Sequence, residues 1–557
     1  MNDIAPLAAT AAASSPVAWL TSHARARPLR PFLVLARDGR WWQFTWTDAL
    51  NETRRWAAML AARGVTAGDH VFIALEHRHE IYFAFLGAGW LGAVPTVIPF
   101  PTPKQDPALY WAEYAAMLAA VAPRAVVTWG ANLEPLVQVL EDPACALIDV
   151  DDLPADVRPP PPAHPSAPDE PAVLQFSSGT TGRRKGIVLS HRLVGDHLQR
   201  YAAALGFDED DRVASWLPLY HDMGLIAAFL LPLHRGATVV AIDPFAWVAR
   251  PSLLLEAIER FAATFVWMPN FGFRHIERTM PEGRRFRLES VRAFVSSAET
   301  CRAETIDSFV AAMAGHGVRP AQMTTSYGMA ETVLATTQFV GPGPPRRIHV
   351  DGPALDVGFR VRVVDRASPG ARTLISCGPP LDGIELRIAV ARPGADAGEI
   401  QLRGLLCFHG YHRNAAATAA SFEHGWYRTG DIGFLHEGEL FVCGRAKELV
   451  IVNGRNFYAS DIEVIAGAVA GVRPGRAAAF GIDDAEGGSE RLVVLVEPFS
   501  GGDEKSLARA VREAVAARLD VTPHTVAVVP PESLVKTTSG KMNRQVNRER
   551  FLAERRS

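Results

Sequence analysis

The sequence predicts an α/β protein whose large N-terminal domain holds two α/β sheet subdomains and a small β-barrel-like subdomain, followed by a small α+β C-terminal domain. The chain has 557 residues, more than one hydrophobic core usually supports. Helical and strand patterns alternate through residues 19–150 and 172–340, which is typical of parallel sheets covered by helices. From residue 346 to 445 the pattern changes to short strands separated by turns, which indicates a compact barrel or sandwich.

The elements predicted first along the chain follow a tail, residues 1–15, that we expect to be disordered. Residues 48–63 carry a helical apolar pattern, and residues 71–75 and 125–128 are short apolar strands. Residues 153–171 contain eight prolines, so we expect a surface connector between the two sheet subdomains.

The predicted domain boundary lies at residue 446. Residues 16–445 form the expected N-terminal domain, and residues 446–557 form the C-terminal one. The latter has its own apolar strand at 492–496 and an amphipathic helix at 507–519, which together support an independent small fold.

Composition and charge exclude several classes of function. Hydrophobic residues make up 48% of the chain and charged residues 21%, as expected of a soluble globular protein, and the net charge is only -3. There is no long basic run, so we expect no nucleic-acid partner, and no apolar stretch of about 18 residues, so we expect no membrane span. The five cysteines form no CxxC pair, which suits free thiols in a cytoplasmic protein.

Residues 177–185 have the composition of a loop that holds phosphate. They combine four hydroxyl side chains, two glycines and a lysine after the predicted strand 172–176. Glycines let backbone N–H groups approach an anion, and hydroxyls and the ammonium add donors and charge. The spacing is not that of a Walker A loop, because Arg184 stands five residues after Gly179 where that motif needs glycine. A plain turn is an equally good interpretation of this segment alone.

Further segments carry side chains suited to a nucleotide. Tyr327, which can stack on a base, lies four residues before Glu331, which can help hold Mg²⁺. Residues 427–433 and 444–449 offer an aspartate and an arginine for ribose hydroxyls, and residues 536–541 end in a lysine on a flexible-looking loop. Each has a plain alternative: a core tyrosine beside a solvated glutamate, ordinary turns with a solvated ion pair, or a terminal surface lysine.

Together and in this order, these segments resemble the adenylate-forming superfamily of acyl-CoA synthetases, luciferases and peptide-synthetase adenylation domains. The resemblance covers about residues 20–550. Its details are similar to fatty acyl-AMP ligases, which activate a fatty acid as its adenylate and pass it to an acyl carrier protein. These details are Trp-Leu-Pro-Leu-Tyr-His-Asp-Met-Gly at 216–224, Met-Pro-Asn-Phe at 268–271, Gly-Arg-Asn-Phe-Tyr at 454–458, and an insertion at about 346–376.

The resemblance implies that ATP reacts with a fatty or related carboxylic acid, with Mg²⁺ as cofactor and the phosphopantetheine of an acyl carrier protein as acceptor. It implies that Lys541 bridges the carboxylate and the α-phosphate, that Glu331 supports Mg²⁺, and that His221 lies near the substrate carboxylate. Lys447 is the implied hinge about which a mobile C-terminal domain rotates. The residues implied to bind the nucleotide are Ser177, Ser178, Gly179, Thr180, Thr181, Gly182, Lys185, Ser297, Ala298, Glu299, Ser326, Tyr327, Gly328, Met329, Asp431 and Arg445.

Departures from the family pattern affect substrate and partner more than adenylation chemistry. Arg184 replaces the usual proline before the loop lysine, residues 296–297 are Ser-Ser where related ligases carry Asn-Gly, and residues 459–460 are Ala-Ser in place of Pro-Gln. Two other functions stay open at this stage: an acyl-CoA synthetase with CoA as acceptor, and a non-catalytic acyl-adenylate binding module. A structural hydrogen bond for His221 and a solvated surface position for Lys447 are the alternatives for those residues.

Overall fold

The fold is known from a computed structural model. It describes residues 15–101, 107–154, 157–176, 184–351, 360–369, 371–452, 455–483, 490–499, 503–537 and 540–554. Residues 177–183 of the predicted phosphate loop, 177–185, and residues 1–14 of the predicted tail lie outside the described residues.

The first elements of the chain are a capped helix, a strand hairpin and a second capped helix. They are α1 (Pro16–Ala26), β1 (Pro31–Arg37), β2 (Arg40–Thr45) and α2 (Trp46–Ala62). The Ser15 hydroxyl accepts a hydrogen bond from the Ala18 N–H, and Thr45 and Asp48 form a capping box, so both helix starts are satisfied by side chains.

A parallel sheet of four strands forms the first α/β subdomain. It contains β3 (His70–Ile73), β4 (Val94–Val97), β5 (Ala125–Thr128) and β6 (Ala146–Asp149), in the order β4-β3-β5-β6. Parallel strands need crossover connections, which α3 (His79–Trp90), α4 (Pro107–Val121) and α5 (Gly130–Val139) supply. Beside β4 lies an antiparallel pair, β7 (Pro171–Phe176) and β8 (Gly186–Ser190), whose connection is the predicted phosphate loop.

An eight-stranded sheet forms the second α/β subdomain. To β1 and β2 it adds β9 (Arg212–Ser215), β10 (Thr238–Ile242), β11 (Phe265–Met268), β12 (Ala293–Ser296), β13 (Met323–Gly328) and β14 (Ala335–Gln338). Their order is β14-β13-β12-β11-β9-β10-β1-β2, with antiparallel pairs only at the two edges. The helices between them are α6 (His191–Leu205), α7 (Leu231–Arg235), α8 (Pro244–Ala249), α9 (Ser252–Phe261), α10 (Asn270–Arg278) and α11 (Ala303–Met313).

The placement of β1 and β2 corrects the predicted subdomain boundary. The alternating pattern assigned residues 19–150 to one unit, but β1 pairs in parallel with β10, so that Leu33 is opposite Val239. The pattern of apolar residues identifies a strand, whereas its partner about 200 residues away depends on packing.

Antiparallel strands follow, as predicted for the small β-rich subdomain. They are β15 (Arg347–Asp351), β16 (Ala371–Ile375), β17 (Ile384–Ala389), β18 (Gly398–Gly404), β19 (Phe422–Glu423), β20 (Trp426–His436) and β21 (Glu439–Arg445), with one helix, α12 (Ala415–Ser421). β15 pairs with β16, and the other five form one sheet.

The C-terminal part is an α+β unit with its own core. Its elements are β22 (Leu449–Val452), β23 (Arg455–Tyr458), α13 (Ala459–Gly467), β24 (Val472–Asp483), β25 (Glu490–Pro498), α14 (Glu504–Leu519), β26 (Thr525–Val528) and α15 (Arg544–Glu554). Apolar residues between 450 and 528 pack together in a cluster separate from the main core. This separation supports our proposal of a domain boundary at residue 446. Among the described helices, none is long and apolar enough to cross a membrane.

Candidate active site

Three segments that contain predicted site residues lie at the carboxyl ends of strands in the eight-stranded sheet. β9 leads into residues 216–222, β12 leads into residues 297–299, and β13 ends at residues 326–328. Ligands of open α/β sheets bind at this edge, where loops follow the strands. The Ser297 hydroxyl donates a 3.1 Å hydrogen bond to the Ser326 carbonyl, so the segments after β12 and at the end of β13 are in direct contact.

Tyr327, Asp431 and Arg445 form one hydrogen-bonded network. The Tyr327 hydroxyl donates to Asp431 Oδ2 at 2.8 Å, and Arg445 Nε donates to Asp431 Oδ1 at 2.9 Å. Asp431 and Arg445 are opposite each other across β20 and β21, so sheet register sets their spacing. Burial, reinforced by the Asp431 carboxylate, raises the pKa of Tyr327 well above its usual range, which keeps its hydroxyl a donor. Three residues predicted around adenosine are thus brought together.

Glu331 and Lys185 both contact Tyr411. The Tyr411 hydroxyl donates to Glu331 Oε1 at 3.0 Å, and Lys185 Nζ lies 4.4 Å from the centroid of the Tyr411 ring, a cation–π contact. Burial raises the pKa of Glu331, while hydrogen bonds from Tyr411 and Tyr427 and the charge of Arg445 act in the opposite direction. The arrangement places a carboxylate near the lysine that follows the predicted phosphate loop.

The backbone beside Glu331 adopts a strained turn. Glu331 lies on the 3₁₀ helix Ala330–Thr332, and the next residue, Val333, has φ of 67° and ψ of -54°. The Leu334 N–H donates to the carbonyl two residues earlier at 2.8 Å, which closes a γ-turn that costs a β-branched residue on the order of 1–3 kcal/mol. A Cβ atom at Gly328 would overlap the Leu334 carbonyl oxygen, so this close approach requires glycine. The backbone is therefore tightly constrained on both sides of Glu331.

Lys541 reaches the same site from the far end of the chain. Burial and then the charge of Arg445 lower the pKa of Lys541 below that of free lysine, while the carboxylates of Glu299 and Asp222 raise it. These charges come from three separate segments of the N-terminal part. The neighbouring Gly540 lies beside one more predicted segment, since a Cβ atom there would be 3.9 Å from the Phe271 ring.

His221 and Asp222 are paired at the start of a π-helix, Met223–Leu230. His221 Nδ1 lies 2.6 Å from Asp222 Oδ1, which also accepts a 2.8 Å hydrogen bond from the Met223 N–H. Burial opposes ionisation of Asp222, but the charge of His221, aided by Lys541, lowers its pKa overall. Single π-helical turns frequently occur at functional sites. The pairing with Asp222 agrees with the alternative that His221 makes a structural hydrogen bond. A contact between His221 and the substrate stays a prediction.

Two arginines hold the C-terminal part against the rest of the chain. Asp461, on α13, lies 3.2 Å from the Arg302 guanidinium and 2.9 Å from that of Arg372. Arg372, on β16 in the predicted insertion, also lies 5.2 Å from the ring centroid of Tyr458. Tyr458 is buried in an apolar cluster with side chains of β16, β20 and β21. We call Arg302, Arg372 and Asp461 the docking clamp.

A family profile described as AMP-binding enzyme matches residues 20–412. The chain belongs to the AMP-binding enzyme family. The match contains the phosphate-loop segment and the Tyr327–Glu331 segment.

Two curated relatives of this AMP-binding enzyme have named activities. Long-chain-fatty-acid–AMP ligase FadD26 of Mycobacterium marinum is 31% identical over 555 residues, covering 91% of this chain and 93% of the relative. Medium-chain-fatty-acid–[acyl-carrier-protein] ligase JamA of Moorena producens is 32% identical over 409 residues, covering 69% of this chain and 68% of the relative.

Solved structures show the same fold. A structure from a study of fatty acyl-adenylate ligases of E. coli and L. pneumophila superposes with a TM-score of 0.88, covering 98% of this chain and 99% of that one at 24% identity. The α/β fold class predicted from the sequence is confirmed.

Three other predicted residues, Ala298, Met329 and Lys447, lie in turns or on a short helix. Ala298 has φ of 69°, in the left-handed region, between Ser297 and Glu299. Met329 donates its N–H to the Leu334 carbonyl at 2.8 Å, next to the strained turn. Lys447 is exposed on the 3₁₀ helix Ala446–Glu448, between β21 and β22, so its role as a hinge stays a prediction.

Sequence reasoning missed five residues that contact the predicted site or hold the C-terminal part in place. Tyr411 had no recognisable motif around it, and Arg302 and Arg372 are two of many arginines. Tyr427 begins the segment 427–433, which was selected for its aspartate and not for the tyrosine. Asp222 had one available signal, its place beside His221 in the quoted 216–224 segment.

Proposed function

We propose that the protein converts a fatty or related carboxylic acid and ATP to acyl-AMP and pyrophosphate, and then transfers the acyl group to the phosphopantetheine thiol of an acyl carrier protein. The observation that carries the proposal is the network in which Asp431 accepts hydrogen bonds from Tyr327 and Arg445. The charge of the same Arg445 acts on the Lys541 ammonium, together with those of Glu299 and Asp222. The named activities of the two relatives agree with each of the two steps.

In the first step the carboxylate attacks the α-phosphate of ATP. Both reactants are anionic, so cations that neutralise their approach lower the barrier. We assign this role to Lys541, with Lys185 and the loop residues 177–182 on the leaving pyrophosphate. Asp431 and Arg445 are assigned to the ribose, in support of which they already share one network with Tyr327.

The residue assigned to Mg²⁺ is Glu331. Its half-buried carboxylate fits a hard cation, because oxygen ligands suit Mg²⁺ and one Glu331 oxygen is oriented by the Tyr411 hydroxyl. When bound, Mg²⁺ neutralises phosphate charge. The γ-turn at Val333 keeps Glu331 in place for this task.

In the second step the thiol attacks the acyl carbonyl and AMP leaves. Access for a long phosphopantetheine arm requires Lys541 to withdraw, which in this proposal happens by rotation about Lys447. The docking clamp must open for that rotation, since Asp461 lies beyond the hinge while Arg302 and Arg372 precede it.

Carboxylate-dependent ATP–pyrophosphate exchange tests the first step. We expect exchange with one or more fatty acids, and no exchange across acids of many chain lengths would reject the activity. A competition between holo-carrier protein and CoA tests the acceptor, and preferential formation of acyl-CoA would reject the second step.

A lysine variant tests the assigned chemistry. Lys541→Ala should abolish exchange while leaving transfer from supplied acyl-AMP largely intact. Lys505→Ala, at an exposed lysine on α14, is the matched control and should retain both steps. Loss of both steps in Lys541→Ala would contradict the role.

A further inference from the structure

The lysine at the site is carried by a hydrogen-bonded hairpin rather than by a loose loop. The Asn543 N–H donates to the Val535 carbonyl at 3.0 Å, and the Thr537 N–H donates to the Lys541 carbonyl at 2.7 Å. The two arms also form an antiparallel bridge. We call the two arms, residues 535–537 and 540–543, the lysine hairpin; residues 538–539 lie outside the described part.

One buried amide side chain ties both arms of the lysine hairpin. Asn547, on α15, is 3% exposed. Its Oδ1 accepts from the Val535 N–H at 2.9 Å, and its Nδ2 donates to the Val535 carbonyl at 2.9 Å and to the Asn543 carbonyl at 2.7 Å. The amide thus pairs with Val535 much as a neighbouring strand would.

The arm that enters the hairpin is also fixed to the C-terminal sheet. The Leu534 N–H donates to Glu497 Oε1 at 2.9 Å, and the Arg476 guanidinium donates to the Leu534 carbonyl at 3.1 Å. Glu497 is completely buried on β25. The hairpin is therefore held from the sheet at its start and from α15 at its base.

We infer that Asn547 is a positioning residue for Lys541 in the adenylation step, an inference that rests on the proposed function. Asn547 acts through the hairpin backbone and has no assigned contact with substrate. The backbone of the hairpin fixes where the flexible lysine side chain starts, and a misplacement of about 1 Å in a catalytic group can cost about 100-fold in rate. Lys541 serves only the first step, so the effect of Asn547 should be confined to that step.

The test replaces the amide by an apolar side chain of similar volume, Asn547→Leu, in the full-length protein. We expect kcat for adenylation to fall by about 10- to 100-fold, with KM for ATP and acid within about threefold and transfer from supplied acyl-AMP within about twofold of wild type. Asn547→Asp keeps the acceptor for the Val535 N–H but loses the donor, so it should give a smaller fall in the same step. If Asn547→Leu does not fold, Asn547→Asp carries the test.

A control variant separates positioning from stability. Val511→Ala removes buried apolar volume on α14, in the core of the same C-terminal unit and away from the hairpin. It should lower the melting temperature without changing the ratio of adenylation to transfer rates. An equal loss of both steps in the Asn547 variants, or unchanged adenylation in a folded one, would overturn the inference. Absence of exchange in the wild-type protein would instead reject the proposed function.

Discussion

Removal of the carboxylate of the docking clamp should loosen the C-terminal part. Asp461→Asn keeps the shape of the side chain but takes the charge from its bonds to Arg302 and Arg372. Hydrogen bonds to charged groups contribute about 1.5–3 kcal/mol each. The three side chains remain 16–25% exposed, and screening by water reduces the contribution of both ion pairs. We therefore expect a loss of about 2–3 kcal/mol in docking free energy, or about 30- to 150-fold in the ratio of docked to undocked states.

The thiol of Cys443 reports this opening. It is buried among the apolar side chains that pack with Tyr458, and burial raises its pKa to about 12, so it should react slowly while the clamp is closed. Alkylation of Cys443, followed by mass spectrometry, should be about 30- to 150-fold faster in Asp461→Asn. Cys145 in the first subdomain serves as the internal standard and should be unaffected.

A matched ion pair provides the control. Asp520 pairs with Arg455 at 3.0 Å within the C-terminal part and is 93% exposed, so Asp520→Asn should leave Cys443 labelling unchanged. Equal labelling rates in wild type and folded Asp461→Asn would refute the reasoning, because the clamp would then contribute nothing to docking.

Three other perturbations have expected outcomes. Glu331→Gln should raise the Mg²⁺ concentration for half-maximal exchange by about 10-fold, since an amide binds the cation more weakly; an unchanged Mg²⁺ titration would count against the metal role. Asp431→Asn should raise KM for ATP by about 10-fold in exchange kinetics, because its network with Tyr327 and Arg445 is weakened; a change in the KM of the acid alone would be inconsistent. Burial lowers the pKa of Lys536 to about 8 from 10.5, so the unfolded chain binds this proton more tightly between those values and stability should rise with pH there. Thermal unfolding of Lys536→Met should lack that rise, and identical pH profiles would disprove it.

Most individual elements could be predicted from the sequence because local patterns determine them. The strand predicted at 125–128 is β5 without change, and the helix predicted at 48–63 is α2, shifted by only one or two residues at its ends. The partner of each strand could not be predicted in this way, since β1 pairs with β10, which lies about 200 residues further along the chain.

The sequence allowed the residues of the candidate site to be predicted, but not the contacts between them. Tyr327 was predicted beside adenine, yet its bond to Asp431, 104 residues away, depends on how two sheets pack. The segment at 536–541 was predicted to be flexible because it is rich in glycine, serine and threonine. That prediction missed the buried side chain of Asn547, which lies on the following helix and holds the segment's neighbours at 535 and 543.

The strand pair that carries Asp431 and Arg445 contains one unpaired residue on β21. A bulge leaves Cys443 without a ladder partner, because Ile432 is opposite Gly444 whereas Gly433 is opposite Val442. Removal of Cys443 would make the ladder regular and would still leave Arg445 opposite Asp431. A bulge bends its strand and increases the local twist, so the extra residue sets the direction in which the pair presents its side chains rather than which residues pair. The length of this segment therefore affects how Asp431 meets Tyr327 on the neighbouring sheet, while the register alone keeps Arg445 beside Asp431.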